Sequence, residues 1–141
     1  MITAIPVIDA LTEALSAANL PIGDLAEPGR SFYQMGDDDG GTIGFGGLEG
    51  EGAHRLMRSL VLLPHRRGSG YGQALVAMLE DRARMEGVAH LHLLTTTAAA
   101  FFAAQGYQTA DRASAPASIA ASQEFTSLCP ASASYMTRAI A

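Results

Sequence analysis

An α/β fold, a mixed and mostly antiparallel sheet layered with helices, is what this sequence predicts, on three observations. Short β-rich runs such as "SFYQM", "TIGFGGL" and "VAHLHLL" are separated by turn residues. Stretches of helical periodicity interrupt them and stop at glycines. The 141 residues, 48% hydrophobic and 16% charged, can fill one proper core without the charge excess of a disordered chain. Residues 1–141 are therefore expected to form a single domain.

Each element follows from its residues. Residues 2–7 predict a short strand cut by Pro6. "DALTEALSAANLP" places Leu11, Leu15 and Ala18 on one helical face, with Asp9 as N-cap and Pro21 closing it. "SFYQM" and "TIGFGGL" are strands joined by the turn-rich "GDDDGG". Counted as a calcium loop from Asp38, this segment puts Gly40, Thr42 and Ile43 at places needing oxygen ligands or glycine, so a solvated turn is the reading. "EGEG" turns into the strand "AHRLMRSLVLLP". A helix from Tyr71 to Glu86 carries Leu75, Val76, Leu79 and Ala83 on one face, and Gly87 ends it. "VAHLHLL" is a buried-type strand, "TTTAAAFFAAQ" a short helix capped by threonine and stopped at Gly106. Residues 107–110 are a further strand, "SAPASIAAS" a loop or short helix, and "ASASYMTRAI" a last strand.

Composition narrows the function. The formal charge of −5 argues against broad nucleic-acid or anionic-membrane binding. All nine basic residues are arginine, which removes Schiff-base chemistry and the phosphate-binding lysine of a P-loop together. One cysteine, Cys129, excludes an internal disulfide framework and a multi-cysteine zinc site. The first residues lack a basic n-region and no apolar run approaches membrane-spanning length, so a cytoplasmic protein is expected.

The informative stretch is "SLVLLPHRRGSGYGQALVAMLE". A strand ends at a proline, glycines follow at 68, 70 and 72, and a helix begins at once. Unpaired amides at a helix start attract anions, and glycines let a phosphate approach them. A Walker A loop needs lysine. A dinucleotide fingerprint needs its glycines near the first strand and an acid on the next; here they lie mid-chain and no such acid follows. The spacing Arg67-x-x-Gly70-x-Gly72 resembles the pyrophosphate loop of the GNAT superfamily of acyl-CoA-dependent N-acetyltransferases. "LHLLTTTAAAFFAAQGY" is similar to the acetyltransferase domain of bacterial N-acetylglutamate synthase. The tail "DRASAPASIAASQEFTSLCPASA" resembles small N-acetyltransferases of bacterial arsenic-resistance operons.

The resemblance implies a GNAT-like sheet with a central V-shaped splay and acetyl-CoA as co-substrate, with no metal. It implies that main chain at Leu60, Val61 and Leu62 pairs with the pantetheine arm. Arg67, Gly68, Ser69, Gly70, Tyr71, Gly72 and Gln73 would wrap the diphosphate. The acceptor would be a small amine, amino-acid-like, such as a glutamate analogue or an arsenic-containing amino acid. The protein would work as a monomer or homodimer.

Acetyl transfer to an amine needs a base, an oxyanion donor and a proton for the leaving thiolate. The carboxylate that the superfamily often carries before the loop is absent from Leu56-Met57-Arg58-Ser59, and Phe102 stands where a tyrosine is usual. The catalytic residues are thus unidentified. A water chain past Ser59, Thr95 or Tyr135 would move protons, with proximity supplying much of the rate. Arg58 is either a clamp for a substrate carboxylate or an exposed sheet arginine. Tyr33 either lines the acceptor pocket or is an ordinary strand aromatic. Cys129 is a soft contact for a trivalent arsenical or a small core residue. His90 and His92 share a strand face without a third metal ligand, and His92 as a base competes with a packed histidine. The missing acid–base pair keeps open a second reading, a non-catalytic acyl-CoA-binding or sensing module.

Overall fold

The computed structural model describes residues 1–141. Seven strands form one sheet: β1 (Ile2–Ile5), β2 (Arg30–Gly36), β3 (Thr42–Glu49), β4 (His54–Leu62), β5 (His90–Thr95), β6 (Gln108–Ala110) and β7 (Ser134–Ala139). Their order is β1-β2-β3-β4-β5-β7-β6, and every pair is antiparallel except β4 with β5. That parallel step is bridged by helix α2 (Tyr71–Met85). Helix α1 (Asp9–Ala17) covers the other face.

The sheet has two cores because strand side chains alternate. Phe32, Phe45 and Val61 face Leu11 and Leu15 of α1. Tyr33, Met35, Ile43 and Met57 face Leu75, Val76 and Leu79 of α2. Along β4 the alternation breaks once. Ser59 adopts φ 59°, and β3 pairs Phe45 with Val61 but Gly47 with Arg58, so Ser59 and Leu60 both stand opposite Gly46. This bulge shifts the side-chain parity: Met57 points to the α2 core, and so do Leu60 and Leu62 beyond it.

The glycines of "TIGFGGL" are packing residues. A Cβ on Gly46 would meet Leu79 Cδ1 at 2.6 Å, because α2 lies directly on β3. A Cβ on Gly44 would strike the Val61 carbonyl and lie 3.1 Å from Leu62 Cα, with backbone on both counts.

Element ends differ from expectation in small ways. Asp9 is the first helical residue of α1, and Ile8 takes the N-cap place without a side-chain cap. The helix stops at Ala17, four residues before Pro21, where Asn19 turns left-handed at φ 59°. Helix α3 (Ala99–Ala104) starts later than the threonines, whose Thr95 Oγ1 accepts from the Ala98 amide at 3.0 Å. In the "GDDDGG" turn, the Asp37 carboxylate accepts from the amides of Asp39 and Gly41, a local turn bond set. Of the loop or short helix expected in "SAPASIAAS", the structure forms a short helix α4 (Ala117–Ala120), and a wide turn at Glu124–Leu128 follows that was not expected.

Gly44→Ala should cost about 2 kcal/mol by forcing β3 and β4 apart. Gly23→Ala, at an open site with no left-handed φ, should stay within about 0.5 kcal/mol of the parent. Urea unfolding midpoints of the two variants check this.

Candidate active site

The site begins where two strands part. β4 and β5 pair only at His54 with His90, Arg55 with Leu91 and Leu56 with His92. Beyond Leu56 the β5-facing edge of β4 has no strand partner, while β5 stays paired with β7 as far as Thr95. A cavity of about 560 Å³ fills the opening. Met57 to Leu62 form one wall and Leu93 to Ala98 the other; Phe101 and Phe102 close one side, Leu128 to Pro130 another. The bulge at Ser59 turns β4 backbone into this space.

At one end of the cavity lies the glycine loop. Gly70 is the N-cap of α2 at φ 78°, a left-handed conformation that a side chain would strain. Gly68, Ser69 and Gly70 are exposed, and nothing lies within 4 Å of where a Cβ on Gly68 or Gly70 would sit. The first amides of a 15-residue helix therefore open to solvent beside Arg67 and Gly72, both of which line the cavity. Leu60, Val61 and Leu62 line it too, with Val61 sending its side chain into the α1 core. Tyr71 and Gln73 belong to the first turn of α2.

At the other end is a buried charge cluster that the sequence did not announce. Arg58 has no exposed side-chain surface. Its Nη2 donates to Asp24 Oδ1 at 2.7 Å, its Nη1 to Asp24 Oδ2 and to Glu49 Oε1 at 2.8 Å, and its Nε to Ser59 Oγ at 3.2 Å. Glu124 Oε2 lies 3.2 Å from the same Nε. Arg30 adds a second cation, with Nη2 2.9 Å from Asp24 and Nε 3.6 Å from Glu49. Burial opposes the charge on Asp24, but hydrogen bonds from Arg58 and Arg30 more than offset it and hold its carboxyl below the usual range. Glu124 is different. Burial, abetted by Glu49 and Asp24 against the pull of Arg58, pushes its carboxyl up to about 7.

Arg58 is thus neither an exposed sheet arginine nor a free clamp: its fork is taken up by the protein's own carboxylates. Glu124 lines the cavity, a carboxylate brought in from the tail that no reading of β4 could find. One signal was available, since Glu124 is the only charged residue between Arg112 and Arg138.

The remaining expected residues divide. Ser59 and Thr95 line the cavity; Tyr135 does not. Its hydroxyl is 2.7 Å from His92 Nδ1, and His92 Nε2 is 2.8 Å from His54 Nδ1. Both ring nitrogens of His92 are occupied, and burial, then His54 and His90, pull its pKa down to about 4, so it is a neutral structural link away from the cavity. Tyr33 also lies elsewhere, buried against α2 with Arg82 over its ring and its hydroxyl 3.4 Å from Glu86. Cys129 lines the cavity with Sγ 3.7 Å from Glu124 Oε1. Burial and the neighbouring Glu124 push its thiol up to about 12, so it is a neutral donor and not a thiolate.

Split strands, a bulged wall and a glycine-capped helix start thus surround one cavity. Residues 28–109, more than half of the chain, match the model of the acetyltransferase (GNAT) domain, and the chain belongs to that family of acetyl-CoA-using enzymes. The chain is 31% identical over 88 residues to the amino-acid acetyltransferase of Neisseria meningitidis serogroup A, covering 61% of this chain and 20% of that protein. It therefore spans about a fifth of the length of the curated relatives it matches. All of it superimposes on 35% of N-acetylglutamate synthase from Neisseria gonorrhoeae, solved with coenzyme A and N-acetyl-glutamate, at 20% identity and TM-score 0.74. It also matches the whole of a GNAT acetyltransferase from Staphylococcus aureus Mu50 at 14% identity and TM-score 0.70.

Asp24→Ala leaves Arg58 and Arg30 buried with fewer carboxylates, and should destabilise the fold by about 3 kcal/mol. Chemical denaturation at neutral pH measures it; a loss below about 1 kcal/mol would mean the cluster is not the structural tie described.

Proposed function

We propose that this chain transfers an acetyl group from acetyl-CoA to the amine of a small molecule, with Glu124 as general base. The observation that carries the reading is one cavity with exposed helix-start amides at one end and an ionisable, buried carboxylate at the other. Family membership and relatives described as amino-acid acetyltransferases support a small amino compound as acceptor. The glutamate-like and arsenic-bearing acceptors suggested by resemblance are the acid-bearing members of that class.

In this reading the amides and Arg67 of the 67–73 loop hold the diphosphate. The unpaired edge of β4 at Leu60 to Leu62 takes the pantetheine amides as a further strand would. This lays the thioester beside the bulge at Ser59. There Glu124 accepts a proton from the incoming amine, whose nitrogen attacks the thioester carbonyl carbon. The C–N bond forms, the C–S bond breaks, and the nitrogen, which arrives as an ammonium and gives Glu124 its first proton, passes its second to the leaving thiolate past the Ser59 and Thr95 hydroxyls. Glu124 returns its proton to solvent. What favours this reading over a non-catalytic acyl-CoA-binding module is family membership together with a carboxylate that lines the cavity.

Two measurements follow. Ser69→Glu adds an anion to the loop without disturbing a glycine conformation, and should weaken acetyl-CoA binding by about tenfold or more in calorimetry while the melting temperature holds. Unchanged affinity would move the diphosphate elsewhere. A base must be unprotonated, so kcat/KM should climb as pH rises through about 7 and level off above. Glu124→Gln should cost about a hundredfold in kcat and remove that limb; a variant that keeps the limb would assign the base to another group.

A further inference from the structure

Three charged residues line the cavity: Arg58, Arg67 and Glu124. Arg58 is committed to Asp24, Glu49 and Glu124, and could reach a substrate only by leaving buried carboxylates unpaired. Arg67 stands in the glycine loop at the start of α2, the end given to the diphosphate. The acceptor end is therefore left with the Glu124 carboxylate, whose Oε2 lies 3.2 Å from Arg58 Nε and whose Oε1 lies beside Cys129, among apolar Leu94, Leu128, Pro130 and Ala133.

The ion count of the cluster points the same way. Asp24, Glu49 and Glu124 face Arg58 and Arg30, three carboxylates against two guanidiniums. An arriving ammonium completes the balance. A carboxylate beside the amine would instead be buried near Glu124, because Arg112, the nearby guanidinium without a carboxylate partner, donates to the Pro130 and Phe125 carbonyls and does not line the cavity.

We infer that the acceptor is a primary amine on an apolar body, carrying no acid group next to the nitrogen, and that Glu124 selects it by charge. This rests on the acetyltransferase reading above and narrows it. It runs against α-amino acids, and against glutamate analogues with an added phosphorus or arsenic acid, as the preferred acceptors.

Matched pairs test it. With saturating acetyl-CoA, free-thiol release is followed for phenethylamine against L-phenylalanine and isopentylamine against L-leucine, with L-glutamate and phosphinothricin as acid-bearing acceptors. Each amine should exceed its amino acid by at least about tenfold in kcat/KM, with glutamate and phosphinothricin below both amines. In Glu124→Gln all rates fall through loss of the base, but the ratio within each pair should also drop towards one, which loss of a base alone would not cause. An amino acid equal to its amine, glutamate or phosphinothricin ahead of the amines, or a ratio unmoved by Glu124→Gln overturns the inference and leaves the transferase reading standing. No thiol release from any compound, with acetyl-CoA binding intact by calorimetry, brings down both.

Discussion

The structure turns on a guanidinium taken wholly out of water. Arg58 sits on β4 at the last regular position before the bulge, and three parts of the chain send carboxylates to it: Asp24 after α1, Glu49 at the end of β3, and Glu124 in the tail. Burying such a charge is tolerable only when its partners are held in place, so the cluster fastens loop, sheet and tail to one point. That point is also a wall of the cavity. A tie made for the fold thereby brings a carboxylate to the reaction space and raises its proton affinity through burial and crowding.

The cavity itself arises from an unfinished pairing. Three residues of parallel register hold β4 to β5, and from Met57 and Leu93 onward the strands are no longer paired, with the bulge at Ser59 lying in the parted stretch. A sheet normally closes its backbone edges; here one is left open along Leu60 to Leu62 inside a cleft. The same divergence puts the start of α2 at one end and Glu124 at the other. In the proposed reaction donor and acceptor would meet between them, beside the bulge.

Much of this was legible from local pattern. The Leu75, Val76, Leu79, Ala83 stripe and the glycine stop at Gly87 reported α2 to within a residue, because a helix buries one face wherever it packs. The loop from Arg67 to Gly72 was legible because backbone geometry imposes glycine at Gly70 regardless of what binds. The β3 glycines were legible as strand residues but not as packing residues, since nothing in "TIGFGG" says that Leu79 will lie against Gly46. Arg58 read as an exposed or substrate-facing arginine because its partners lie 34, 9 and 66 positions away in the chain. Tyr33 stayed open between pocket residue and strand aromatic, and Tyr135 stood as a candidate for a proton route, because strand alternation says which residues share a face, not which face holds the cavity.

By itself, then, the chain determined its elements, the alternation that makes a two-sided sheet, and a glycine-capped helix start suited to anions. Those depend on near neighbours, whose steric and hydrogen-bonding preferences act wherever the segment is placed. Only the tertiary structure decided that a carboxylate from the tail, Glu124, would reach the cavity, and that Arg58 would be spent on Asp24, Glu49 and Glu124. Burial, the charges assembled around a group, and the room left for a substrate are properties of distant segments brought together, and no local pattern encodes them.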